Sequence, residues 1–342
     1  MRGIIKALAT GVALAAASLA LAEAARSADF YAGKTIRLIT GGNAGGGYDT
    51  HSRLLANFIV KHIPGRPDIV VQNMPEGSGI GAANYVYNVS KKDGTEIGQF
   101  NRDALILALL GEKAARFTID GFIWLGTPAD YTQNVFIAAI RGNFPFKSFD
   151  DVRNAKTPLN FGNTGTVLPY LVRDALGANI KVIEGYKGDI FLAMARGEID
   201  GMVTSFATAK LTNAEMLANG TMRVVVQFGR DTRLPDLPDA PTAMELVRTP
   251  ADRDLMRFFE VGLHMGFPFA VPPGVPADRV QILRDAFRNT MKDPEYEAAV
   301  RKTNLEFAPV DGEHLTEAIH EAVRASPETV ARYKALAAGG GR

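Results

Sequence analysis

The sequence predicts an α/β protein built as two lobes. Its 342 residues correspond to about two domains at roughly 150 residues each. Short runs rich in β-branched residues alternate with segments of helical periodicity, which is typical of parallel strands joined by crossover helices. Glycine-rich turns follow several of these strands, and ligands in such sheets bind at the carboxyl ends of the strands. We therefore expect the functional residues to lie on those turns.

The first residues have the pattern of a secretory signal peptide. Arg2 and Lys6 precede an apolar run from Ala7 to Ala22, and small residues suit cleavage after Ala22 or Ala24. The run is shorter than the roughly 20 residues that cross a bilayer, which argues against a membrane anchor. Residues 1–24 are thus predicted to be a signal peptide, and the mature protein is predicted to be exported.

The next part of the chain alternates strands with helices. Strands are predicted at 34–40, 68–72, 96–100 and 122–125, and helices at 50–62, 82–89 and 104–110. Asp49 or Thr50 is the predicted N-cap of the first helix, because both residue types accept hydrogen bonds from the free N–H groups there.

A second βα series follows. Strands are predicted at 135–140, 159–161, 181–184, 202–204, 223–228 and 267–271, and helices at 168–176, 190–196 and 277–291. The Pro-rich segment 234–241 is predicted to be a loop, since proline disrupts the interior of either element. The last helix should bury Val280, Leu283, Phe287 and Met291.

Composition excludes several classes of function. Removing Arg2, Lys6 and Glu23 with the signal peptide from the 38 basic and 37 acidic residues leaves 36 of each. Such a neutral chain lacks the basic excess that holds nucleic acid, so no nucleic-acid partner is expected. Cysteine is absent, which excludes disulfides, zinc–cysteine sites, iron–sulfur ligation and a thiol nucleophile.

The turn from Gly41 to Asp49 carries the most information. Its five glycines between a strand and a helix let the backbone approach a ligand closely and direct free N–H groups at an anion. A phosphate loop would end in Gly-Lys-Ser/Thr, whereas this turn ends in Gly-Tyr-Asp, which argues against nucleoside triphosphates. A flexible connection without a ligand is the alternative.

Three further turns join strands to helices. Gly77-x-Gly79-x-x-Ala82 formally fits a dinucleotide fingerprint, but a Pro-Glu pair separates it from its strand, so a packing turn is favoured. Segment 162–166 could complete an anion site with its amide and hydroxyl groups, or could simply cap a helix. Segment 184–189 is predicted to lie at the same end of the same sheet.

Enzyme chemistry has little support. The chain has no Gly-x-Ser-x-Gly nucleophile turn, and its five histidines do not have a metal-ligand spacing. We expect no enzyme activity, no cofactor and no metal. Arg102 follows a strand at the predicted ligand end and could pair with a carboxylate through two hydrogen bonds, or could be a solvated loop residue.

The chain resembles the periplasmic receptors of tripartite tricarboxylate transporters, the Bug or TctC-like family, along nearly all of its mature length. The resemblance rests on several landmarks in register, each of them weak alone. They are segments 31–39, 44–49 and 53–56, 70–75 with 79–82 and 92–95, 161–165, 186–188, 196–200, 238–242 and 272–276.

The resemblance implies a two-lobed periplasmic-binding protein of type II, or Venus-flytrap, architecture. Lobe 1 would be 25–131 plus 262–342, and lobe 2 would be 132–261, with crossovers near 132–140 and 261–270. The protein would be a periplasmic monomer that binds a di- or tricarboxylate or related carboxylate and passes it to integral-membrane permease subunits. A sensor acting on a membrane signalling partner and an exported α/β enzyme are the alternatives.

Carried over position by position, the resemblance implies ligand contacts on both lobes. The candidate residues are Asn43, Gly46, Gly47, Tyr48, Asp49, Asn101, Arg102, Asn163, Thr164, Gly165, Thr166, Gly188, Asp189 and Ser205. Two positions depart from the family pattern: Gly41-Gly42 replaces Pro-Phe before the glycine loop, and Asn101-Arg102-Asp103 replaces smaller residues. We expect Arg102 to bind a second anionic group.

Overall fold

The computed structural model describes residues 30–132, 135–186, 189–303 and 305–339. The predicted signal peptide and Gly188 lie outside the described residues. Within the described part of the chain, no helix has both the length and the apolar character needed to cross a membrane.

Most of the predicted strands are present with small shifts at their ends. The strands are β1 (Thr35–Thr40), β2 (Asp68–Asn73), β3 (Glu96–Gln99), β4 (Ile123–Thr127), β5 (Phe136–Arg141), β6 (Leu159–Gly162), β7 (Ile180–Ile183), β8 (Gly201–Ser205), β9 (Met222–Phe228), β10 (Phe269–Val271) and β11 (Val310–Asp311).

Helices connect and cover these strands. They are α1 (Gly47–Ile59), α2 (Ile80–Asn88), α3 (Arg102–Leu109), α4 (Phe149–Arg153), α5 (Leu168–Asp174), α6 (Ile190–Arg196), α7 (Phe206–Thr212), α8 (Ala214–Ala218), α9 (Ala243–Leu246), α10 (Pro250–His264), α11 (Ala277–Met291), α12 (Pro294–Arg301), α13 (Gly312–Val323) and α14 (Pro327–Ala337).

The chain divides into two compact units. The first unit contains the chain up to Pro128 together with Phe267–Thr316, and the second contains Ala129–Gly266 together with Glu317–Arg342. The sequence placed the whole of 262–342 in the first lobe, whereas in the structure the chain after Thr316 groups with the second unit. There Arg332, on α14, pairs with Asp252 on α10.

The first unit is built on a six-stranded sheet of order β11-β4-β10-β3-β1-β2. β1, β2 and β3 are parallel, and β10 is inserted antiparallel between β3 and β4. β1 occupies the interior of this sheet, so Leu38 and Ile39 are buried on opposite faces. Leu38 packs in a core with Leu55 of α1 and Leu283 and Phe287 of α11.

The second unit has a five-stranded sheet of order β7-β6-β8-β5-β9. β6, β7 and β8 are parallel, and β5 is inserted antiparallel between β8 and β9. Its core brings together Ile137, Met194, Met202 and Phe206. In both units, the antiparallel strand inserted in the interior of the sheet, β10 or β5, is the one that the chain forms just after it crosses from the other unit.

Two predictions about individual elements need correction. α1 begins at Gly47 with Gly46 as its N-cap, so Asp49 and Thr50 lie inside the helix and neither caps it. The predicted crossover strand 261–270 begins instead with the end of α10, which the sequence did not predict; α4, α7, α8, α9, α12, α13 and α14 were not predicted either. The start signals of α10 were available, because Thr249 caps the helix and Pro250 stands in its first turn.

Candidate functional site

The parallel strands of the first unit end together at one edge of their sheet. Thr40 is paired with Asn73 on one side and with Gln99 on the other, and each is the last residue of its strand. The Thr40 hydroxyl donates to Gln99 Oε1 at 2.6 Å and accepts the Gly42 N–H at 3.3 Å. We call these strand ends and the turns that follow them the first-unit edge.

The glycine loop rises from the first-unit edge. Asn43, Ala44 and Gly45 are exposed at its tip, and Gly45 has a φ of 78°, which favours glycine. The loop leads directly into α1, whose N-cap Gly46 has no side chain with which to cover the free N–H groups of the first turn. The N-terminus of α1 is therefore a donor-rich end with a positive dipole.

Asp49 holds the glycine loop in place. Asp49 is only 3% exposed, and its carboxylate accepts three hydrogen bonds: from Gly45 N at 2.8 Å, from Asn73 Nδ2 at 2.9 Å and from Arg53 Nε at 2.9 Å. Arg53 Nη2 lies 2.9 Å from Asp49 Oδ1 and completes the ion pair. Burial raises the pKa of Asp49, but the bonds from Arg53, Gly45 and Asn73 outweigh burial and leave this pKa below its usual value. The carboxylate is thus fully engaged within the loop.

Tyr48 connects the glycine loop to the turn after β3. Its hydroxyl accepts the backbone N–H of Arg102 at 3.1 Å, and burial raises the pKa of Tyr48. The Arg102 side chain lies 4.0 Å from the Asp103 carboxylate. Asn101 caps α3 without a side-chain bond, and its buried Oδ1 has no hydrogen-bond partner among the described residues. The Asn101 amide is therefore a polar group that a ligand or water can satisfy.

An aromatic cluster that the sequence did not predict lies beneath the loop. Phe267 contacts the rings of Tyr48 and His51, with centroids 4.9 and 4.1 Å away. His51 is 0% exposed, and both of its ring nitrogens are without a partner in the described structure. Burial lowers the pKa of His51 to about 4, so the ring is neutral at physiological pH.

The second unit has an equivalent set of strand ends. β6, β7 and β8 are parallel, and we call their carboxyl ends with the turns after them the second-unit edge. Asn163 follows β6 and is 2% exposed. Its amide donates to Thr166 O at 3.0 Å and to Glu184 Oε1 at 2.9 Å, and it accepts the Thr166 N–H at 3.0 Å. Asn163 therefore fixes the shape of its turn.

The outer residues of that turn face solvent. Thr164, Gly165 and Thr166 are exposed, and Gly165 has a φ of 86° with no atom within 4 Å of the position a Cβ would occupy. Asp189 and Ser205 stand at the N-caps of α6 and α7, next to the second-unit edge, and neither side chain makes a capping bond. The described candidate residues of the second unit thus cluster at one edge.

The described residues contain no cluster of His, Asp or Glu that could hold a metal ion. The sequence reading missed several residues that shape the first-unit edge. Arg53 and Asn73 hold Asp49, and His51 and Phe267 pack under the loop. Only the pairing of Asp49 with Arg53, one helical turn apart, was visible in the sequence.

The chain has relatives among known proteins. It is 27% identical over 309 residues to the UPF0065 protein in the gbd 5′ region of Cupriavidus necator, which covers 86% of this chain and 87% of that protein. It is 25% identical over 280 residues to an Agrobacterium vitis UPF0065 protein, which covers 79% and 75% of the two chains. No protein-family model matches the chain.

Among solved structures, a TctC solute-binding protein from Polaromonas superposes with a TM-score of 0.67 at 21% identity, covering 89% of this chain and 97% of that one. This chain has a TctC-type fold. The predicted fold class and the resemblance seen in the sequence motifs are therefore confirmed. In this TctC-type chain, each unit presents an edge formed by three parallel strands.

Proposed function

We propose that this protein is an extracytoplasmic solute receptor for a small organic acid, a di- or tricarboxylate or related carboxylate. The observation that carries the proposal is the uncapped N-terminus of α1 behind the exposed Gly45. A helix N-terminus with accessible N–H groups binds carboxylates through hydrogen bonds and its dipole. In this proposal Asp49 holds the loop in place through its hydrogen bonds and does not itself contact the ligand.

The same proposal gives the second-unit edge a role. In this proposal the Asn163–Thr166 turn of the second unit donates to the carboxylate of the ligand. Asn163 is engaged within the turn, and the Thr166 hydroxyl donates to Asn163 Oδ1 at 3.3 Å, so Thr164 supplies the accessible hydroxyl. Gly188, Asp189 and Ser205 complete the proposed contacts of this lobe, and Asn43, Gly46, Gly47, Tyr48, Asn101 and Arg102 those of the first.

Delivery to a membrane permease and a periplasmic location are parts of the same proposal. The fold supports them, because hinge closure on a ligand is the way binding proteins of two lobes present their cargo. A protein that releases its ligand again benefits from hydrogen-bond donors in place of buried salt bridges, and both edges offer mainly N–H and hydroxyl groups.

A thermal-shift screen of purified protein against mono-, di- and tricarboxylates tests the proposal. A ligand present at one hundred times its Kd stabilises the native state by about 2.7 kcal/mol, enough to raise the Tm by roughly 5 °C. Each active acid is compared with its methyl ester, which keeps the shape and removes the charge. The absence of a shift with every acid, or equal shifts with acid and ester, would refute the proposal.

A further inference from the structure

A groove of about 540 Å³ lies in the second unit between α6 and α7. Its volume falls within the range of about 300–1,000 Å³ found for small-molecule sites. Half of the residues that line it are apolar, and the other half are polar but uncharged. The described residues that line it are Ile190, Phe191, Leu192, Ala195 and Met216, with Thr164, Thr204, Thr208, Thr212 and Asn213.

The groove is continuous with the second-unit edge. Thr164 belongs both to the groove and to the turn proposed to bind the carboxylate. Ile190 directly follows Asp189 at the start of α6, and Thr204 directly precedes Ser205 at the start of α7. A ligand whose carboxylate is held at this edge therefore has the groove beside it.

The groove offers no partner for a second acidic group. None of the described residues that line it is Lys, Arg or His. Its polar groups are also partly satisfied already, since Thr212 Oγ1 donates to Thr208 O at 2.8 Å and Asn213 Nδ2 donates to Thr212 Oγ1 at 2.7 Å. A charged group placed there would lose hydration without a compensating ion pair.

The exposed apolar surface of the groove favours an apolar occupant over a charged one. Leu192 on its wall is 49% exposed, so an apolar occupant would remove this surface from water. We propose that the groove binds the uncharged, largely apolar part of an organic acid whose carboxylate is held at the Asn163–Thr166 turn. This inference rests on the proposed receptor function and narrows its ligand to acids that carry an apolar chain or ring.

Chain-length dependence of affinity tests the proposal. Straight-chain monocarboxylates from propanoate to octanoate are titrated into the purified protein by calorimetry, with adipate as the diacid matched to hexanoate. Each methylene buried in the groove should tighten binding about fourfold. A second carboxylate on the end of the chain should weaken binding by at least about tenfold, because it must be desolvated.

Two substitutions that fill the groove provide the structural test. Thr208→Phe on α7 and Ala195→Phe on α6 place a ring in the groove from opposite walls, and each should abolish the chain-length dependence. Leu211→Phe is the matched control, because Leu211 lies on the same helix, is 84% exposed and does not line the groove. This control should keep the wild-type dependence.

The outcomes separate the two proposals. If short acids bind and longer ones bind no better, or if adipate binds more tightly than hexanoate, the groove assignment is wrong and the receptor function stands. If acids of every length bind equally while Thr208→Phe blocks uptake through the permease, the groove docks a protein partner and the assignment is equally wrong. If no acid binds at all, both the groove assignment and the proposed receptor function are wrong.

Discussion

Replacing Asp49 with Asn should loosen the glycine loop without changing its shape much. The substitution removes the negative charge and puts an NH₂ group where one carboxylate oxygen accepts. That group must then face either the Gly45 N–H or the Asn73 Nδ2, both of which are donors at 2.8 and 2.9 Å from Asp49. At least one of the three present hydrogen bonds becomes a donor–donor contact.

The size of the effect follows from the exposure of each partner. Hydrogen bonds to a charged group contribute about 1.5–3 kcal/mol when they are shielded from water. Arg53 is half exposed, so its ion pair with Asp49 is screened and contributes no more than about 1 kcal/mol. Gly45 can turn to solvent, whereas Asn73 is half-buried. We expect Asp49→Asn to lower the free energy of unfolding by about 2 kcal/mol.

The pH dependence gives a second signature. The pKa of Asp49 is lower in the folded state than in the unfolded chain. The stabilisation is therefore fully present above the unfolded pKa of about 3.9 and is lost as the pH falls through the lower folded value. The difference between wild type and Asp49→Asn should be about 2 kcal/mol at pH 7 and should shrink below about pH 4.

The chain offers a convenient probe for this measurement. Trp124 is its single tryptophan and is fully buried in the first unit, so its fluorescence during urea unfolding reports on that unit. Asp68→Asn, the same substitution at an exposed position of β2, is the matched control. A double-mutant cycle with Arg53→Gln isolates the ion pair. If Asp49→Asn is within about 0.5 kcal/mol of Asp68→Asn, Asp49 does not hold the loop as described.

Three further predictions concern single residues at the two edges. His51→Leu should make the free energy of unfolding less sensitive to acid. A histidine whose folded-state pKa is lowered to about 4 destabilises the protein as the pH falls below about 6.5, by roughly 2 kcal/mol between pH 7 and 5. A urea unfolding curve at pH 5 that is the same for wild type and His51→Leu would contradict this. Asn163→Ala should speed hydrogen exchange of the Thr166 amide about tenfold, since that N–H loses its acceptor, and equal protection would show that the turn is held otherwise. Arg102→Ala should weaken the binding of short diacids, measured by calorimetry, by more than about tenfold if Arg102 pairs with a second acidic group, and a change below about threefold would exclude such a contact.

Local patterns in the sequence predicted every described strand except β11, but only six of the fourteen described helices. β1, α6 and α11 depend on residues close together in the chain, and α11 buries Val280, Leu283, Phe287 and Met291 as its periodicity indicates. α10 was not predicted although Thr249 and Pro250 mark its start, so local signals for this helix were present in the sequence. The start of α1 at Gly47 depends on how the glycine loop folds back so that the Gly45 N–H reaches Asp49. No local sequence pattern predicts this fold of the loop.

The candidate residues show a similar division. The sequence determined that glycine loops and polar turns follow the strands, because parallel strands place such turns at one edge of a sheet. Only the tertiary structure decided which of these polar groups remain accessible. The Asp49 carboxylate accepts a hydrogen bond from Asn73, at the end of a neighbouring strand, and the Asn163 amide donates a hydrogen bond to Glu184. These pairings follow from strand register, which brings together residues distant in the chain.

The sequence by itself determined the α/β class and the turns on which function is expected. The tertiary structure decided the burial of His51 against Phe267 and the uncharged groove between α6 and α7. Both depend on which side chains meet across separate elements, and hydrophobic periodicity says only that a face is buried, not what it is buried against.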